Sequence, residues 1–86
     1  MKDNIKCNQE ENWAEIRIDS KIFTPSQVVA TSNEFADDYW ITLRSNSENQ
    51  IIVKIISKEE RELEDIKEDA LDFQTLLISK SVEMMG

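Results

Sequence analysis

The residues predict an α+β domain in two layers, ordered β-α-β-β-α, with a three-stranded mixed sheet and two helices. Three observations carry that expectation. Trp13-Ala14-Glu15-Ile16-Arg17-Ile18-Asp19 alternates apolar with polar residues, the period of a half-buried strand. Phe23-Thr24-Pro25-Ser26-Gln27-Val28 gathers several helix-start signals on one residue. Leu63, Ile66, Ala70, Phe73 and Leu77 recur at steps of three and four, the stripe of an amphipathic helix.

Residues 1–12 read as a polar, frayed lead-in, and residues 13–86 as a single α+β domain. In the first strand Ala14, Ile16 and Ile18 point to a core, and Trp13, Glu15 and Arg17 point away. The helix start follows. Thr24 can place its hydroxyl on a free amide of the first turn, and Pro25 stands where a missing N–H costs nothing. Gln27 can reach back to the amide of Thr24 and complete a capping box, while Phe23 and Val28 hold the positions of a hydrophobic staple. The helix should run from Pro25 to about Asp38, with a stripe of Val28, Ser32, Phe35 and Tyr39 widened by Val29 and Ala36, and with Gln27, Asn33, Glu34 and Asp37 outside it.

Trp40-Ile41-Thr42-Leu43-Arg44 alternates again and predicts the second strand. A polar turn, 45–50, leads to the third, where Ile51, Val53 and Ile55 share one face and Ile52, Lys54 and Ile56 the other. The short loop predicts an antiparallel hairpin of these two. The helical crossover between the first and second strands predicts a parallel pair of right-handed connection. The last helix should start near Lys58–Arg61, end near Glu83, and carry its acidic first turn at the positive end of the helix dipole.

Composition narrows the function classes. The chain has 86 residues and a net charge of −8. Such a surface disfavours nucleic acid and anionic membrane as partners. No apolar run approaches a membrane span or a secretory signal, so a cytoplasmic protein is expected. Glu59, Glu60, Glu62, Glu64, Asp65, Glu68 and Asp69 crowd one segment against Arg61 and Lys67; a solvated helix face and a docking patch for a basic partner both fit such a run. There is no histidine, which removes the commonest neutral-pH base and zinc ligand. The lone Cys7 excludes an intrachain disulfide, and the one glycine cannot build a phosphate-cradling loop. Asp37 and Asp38 are adjacent and point apart, unlike a hydrolytic pair. No catalytic residue, metal ligand or cofactor site is therefore assigned, and a non-enzyme is expected.

Two surfaces attract attention instead. Trp13 and Trp40 lie on the strand faces opposite Ile16 and Ile41, where they either cover the second face of a small sheet or anchor a partner. In the last helix Leu71, Ile78, Val82 and Met85 fall outside the core stripe, with Leu71, Ile78 and Met85 seven residues apart. A helix apolar on two sides is buried on two sides, so these four are the expected interface of a homodimer or of another protein.

The run Ile22-Phe23-Thr24-Pro25-Ser26-Gln27-Val28-Val29-Ala30, followed by Phe35-Ala36-Asp37-Asp38-Tyr39-Trp40 and by the hairpin to Ile55-Ile56-Ser57-Lys58, resembles the small D component of His-Xaa-Ser peptide-maturation loci. The likeness covers roughly residues 22–75. That family tends to carry Asn and Leu-Leu-Asp near its last helix, where Asp72, Leu76, Leu77 and Ile78 stand here. The resemblance implies an accessory role beside radical-SAM enzymes that modify a ribosomally made peptide, with the enzyme or its precursor peptide as partner. It implies no catalytic residue. The alternative is a homo-oligomeric structural protein that uses the last helix and has no part in peptide maturation.

Overall fold

The computed structural model describes the backbone of residues 4–85 and the side chains of residues 4–80. The α+β class holds, with two helices layered on one face of a sheet. The sheet has four strands, not three: β1 (Ile5–Asn8), β2 (Trp13–Asp19), β3 (Tyr39–Ser45) and β4 (Gln50–Ser57), in the order β1-β2-β4-β3. Helix α1 (Pro25–Phe35) lies between β2 and β3 in the chain, and α2 (Leu63–Met85) closes it.

The fourth strand comes from the segment expected to fray. Ile5 and Cys7 face the core while Lys6 faces out, and four residues are too few for that alternation to stand out from a polar lead. Asn12 turns β1 into β2 with a left-handed φ of 55°, a conformation asparagine tolerates better than most residues.

Every pairing in the sheet is antiparallel, which corrects the expected mixed sheet. β2 and β3 do run in the same direction, but they are not neighbours, because β4 lies between them. The physical reason is in β4 itself. Its Ile51, Val53 and Ile55 are buried on the helix side, and Ile52 is buried on the other. A strand apolar on both faces belongs in the middle of a sheet, with neighbours on both sides.

The helix start forms as its residues dictate. The Gln27 amide donates to Thr24 Oγ1 at 3.3 Å, and the Thr24 amide donates to Gln27 Oε1 at 2.8 Å, closing the capping box. Val28 is fully buried, and Phe23 packs against the same cluster. Other details of α1 differ from expectation. It ends at Phe35 rather than Asp38, so Tyr39 enters the core as the first residue of β3. Gln27 is buried with Thr31 and Ser32, whereas Val29 is 45% exposed; the buried stripe is rotated toward Gln27 by the way α1 rests against α2.

Of the expected stripe, helix α2 buries Ile66, Ala70, Phe73 and Leu77 and leaves Leu63 half-buried at its start. Phe73 meets Phe35 with ring centroids 5.3 Å apart, and Phe35 meets Tyr39 at 6.0 Å. The helix starts at Leu63, not at Lys58–Arg61, and the segment before it is bonded to the rest of the fold instead. Ser57 N donates to Asn12 O, Lys58 N to Asp38 O and Arg61 N to Asn12 Oδ1, which ties this segment to two loops.

Candidate functional site

Both helices cover one side of the sheet and leave the other open. Strand alternation decides what that open face carries. The register aligns Trp13 of β2, Ile56 of β4 and Trp40 of β3 in one row across three strands. Two residues along, the row is Lys6, Glu15, Lys54 and Thr42. Two residues further, it is Arg17, Ile52 and Arg44.

The structure thus brings Trp13 and Trp40 together as flanks of one residue, Ile56. Trp13 is half-buried and Trp40 is 61% exposed. Each indole is held by a cation. Lys54 Nζ sits 4.6 Å from the Trp13 ring centroid, and Lys58 Nζ sits 4.4 Å from that of Trp40. Such contacts fix ring orientation and are worth about 0.5–1 kcal/mol at exposed positions. Trp13 Nε1 also donates to Glu11 Oε2 at 2.9 Å, and Lys58 Nζ donates to Ala36 O at 3.1 Å.

Ile52 shows how this face is built. It is 7% exposed although no helix lies over it, and it stands apart from the main core cluster. Its row neighbours are Arg17 and Arg44, whose alkyl stems are long enough to cover an isoleucine while their guanidinium groups stay in water. Arg44 pairs with Glu15 at 3.2 Å. The face is therefore apolar in its Trp13–Ile56–Trp40 row and cationic around it. Lys6, Arg17, Arg44, Lys54 and Lys58 make five of the chain's ten basic residues, against Glu15, Glu11 on the Trp13 indole and, at the far end, Asp19.

The opposite layer has the reverse sign. Glu59 to Asp69 lines the approach to α2 and its first turns with carboxylates. Asp69 is the inward member of that set. Its carboxylate accepts from the Tyr39 hydroxyl and from Arg61 at 2.8 Å. Burial, then the Asp72 and Asp38 carboxylates, push its carboxyl above the ordinary range; its ion-pair partner Arg61 is partly exposed to water.

The other residues singled out from the sequence lie apart from this face. Leu71 and Ile78 are 54% and 57% exposed on α2, in the opposite layer. The side chains of Val82 and Met85 lie outside the described residues. Cys7 is half-buried against the core, and burial pushes its thiol up despite the Lys67 charge nearby. Among the described residues no group of three or more His, Cys, Asp or Glu side chains is arranged to hold a metal ion. No helix among them is long and apolar enough to cross a membrane.

Sequence reasoning found the two indoles but missed the cationic frame and the covered Ile52. The signal was present in the alternation of Glu15-Ile16-Arg17 and Ile52-Val53-Lys54. It became legible only once the register joined the strands. No family model matches the chain, and neither a curated protein nor a solved structure matches it.

Proposed function

We propose that this chain is a non-catalytic binding module that docks an acidic segment of a partner protein or peptide on the open sheet face. One observation carries the reading: the row Trp13–Ile56–Trp40, half-buried at its first two members and open at Trp40, framed by Lys6, Arg17, Arg44, Lys54 and Lys58 in a chain of net charge −8. Aromatic anchors with arginine beside them are the residue types that concentrate binding energy at protein interfaces. The cations supply complementarity for carboxylates and fix the partner's register more than its affinity. The resemblance of residues 22–75 to the D component of peptide-maturation loci supplies the setting. In it the occupant is the precursor peptide of a cytoplasmic radical-SAM system, or an acidic segment of the enzyme.

The test is a titration of the purified chain with the precursor peptide encoded beside its own gene, read by tryptophan fluorescence. Trp40→Ala and Arg17→Glu should each weaken binding about tenfold or more, with Trp40→Ala leaving the thermal midpoint within a few degrees, since its side chain is exposed, and Arg17→Glu keeping the folded circular-dichroism spectrum. Equal binding by wild type and both variants rejects this face as the docking surface.

A second reading has its own observation. Leu71 and Ile78 expose apolar surface seven residues apart on α2. Homo-oligomerisation through that face is the form it takes. Loss of self-association in Leu71→Asp would assign it there.

A further inference from the structure

We propose that β3 is the seam of a homodimer, in which a second copy adds its own β3 antiparallel and the two-fold axis passes between the two Thr42 residues. The inference shares Trp40 and Arg44 with the open face but rests on the strand edge and not on what docks there.

Among the described residues β3 is the last strand of the sheet, so one side of its backbone faces no further strand. The hydrogen bonds identify which groups are unsatisfied there. Asn46 N donates to Gln50 O and Lys58 N donates to Asp38 O, so the even-numbered residues of β3 bond toward β4. In an antiparallel ladder this alternates, and the N–H and C=O groups of Tyr39, Ile41, Leu43 and Ser45 point outward. Natural edges are blunted by charge, proline, bulges or shortness. The other edge, β1, is four residues with Lys6 on it. β3 has seven residues, no proline and Arg44 as its one charged residue, and its pairing with β4 is unbroken.

The occupant follows from the strand's own order. Turned antiparallel on itself about Thr42, the run Tyr39-Trp40-Ile41-Thr42-Leu43-Arg44-Ser45 pairs Ile41 with Leu43, Trp40 with Arg44 and Thr42 with Thr42. The first is an apolar pair, the second a cation–π pair and the third a favoured cross-strand match. This register also pairs all seven residues; any other shortens the overlap. It sets Ile41 and Leu43 as the outward-bonding pairs, in agreement with the free groups found above.

Burial agrees as well. Leu43 is on the helix side of the sheet yet 41% exposed, and Val29 of α1 is 45% exposed beside it. With Ala36 and Ile41 they line a groove of about 410 Å³ between α1 and the edge. The second copy brings the same half-groove to the axis, so each Leu43 gains an Ile41 to cover it. The result is a continuous eight-stranded sheet in which each indole row runs on into the second copy's Arg44–Ile52–Arg17 row on the open face.

Sedimentation equilibrium tests this directly. Wild type should give a mass about twice 10.0 kDa. Thr42→Glu should halve it. Within one chain the introduced carboxylate faces Lys54, so the thermal midpoint should hold or rise; across the axis it faces its own copy. In a Cys7→Ser background, mild oxidation should cross-link Thr42→Cys into a dimer but not Arg44→Cys, which would face the second copy's Trp40. Wild type sedimenting at 10.0 kDa at every concentration overturns the proposal. So does a dimer that survives Thr42→Glu, equal cross-linking of both cysteine variants, or a dimer abolished by Leu71→Asp instead.

Discussion

Thr24 shows how much one side chain settles. Its hydroxyl accepts from the Gln27 amide and its own amide donates to Gln27 Oε1, within three residues of chain, so α1 starts there whatever packs above it. Thr24→Ala should cost about 1 kcal/mol in urea unfolding, through loss of the cap alone. Asp69 is the opposite kind of residue, defined by what the fold puts around it. Its carboxyl holds its proton more tightly in the folded chain than in the unfolded one. The stability it contributes is therefore complete below the unfolded pKa and is lost as pH rises through the raised folded value. Asp69→Asn cannot titrate. The thermal midpoint of wild type relative to this variant should fall as pH rises from below the ordinary aspartate range to above it. A difference that rises over that range would show that the Arg61 ion pair outweighs burial.

Elements differ in how firmly their two sides are committed. On α2, Phe73 is fully buried against Phe35 while Leu71 is more than half exposed. Phe73→Ala should cost about 3–5 kcal/mol by transfer and cavity terms. Leu71→Ala should stay within about 0.5 kcal/mol in the same denaturation experiment, as surface changes do. A cost above about 1 kcal/mol for Leu71→Ala would show that this face is covered in solution. β4 is committed on both sides, and this places it at the centre of the sheet. β3 is committed on one side only, and the exposed Trp40 and Leu43 are the consequence.

The whole molecule separates charge by layer. Carboxylates dominate the helical layer and its approach, whereas the open sheet face gathers half of the basic residues around two indoles. A chain of net charge −8 thus presents a locally positive platform. Binding of an acidic peptide there should weaken several-fold between about 0.05 M and about 0.5 M salt, because exposed charges are screened over roughly 4–14 Å in that range. A salt-independent affinity would mean that the indole row binds without the cations.

The sequence by itself determined what depends on neighbours a few residues apart. The cap at Thr24, the in-and-out order of β2 and β4, and the buried stripe from Ile66 to Leu77 are set by hydrogen-bond reach and by the periods of strand and helix. These account for the class of the fold and for both tryptophans on one face. The tertiary structure decided what depends on partners far along the chain. It inserted β4 between β2 and β3, recruited Ile5–Asn8 as a fourth strand, and drew Arg17, Arg44 and Lys54 around one indole row. Strand pairing joins residues tens of positions apart, and alternation within one strand holds no record of which strand lies beside it.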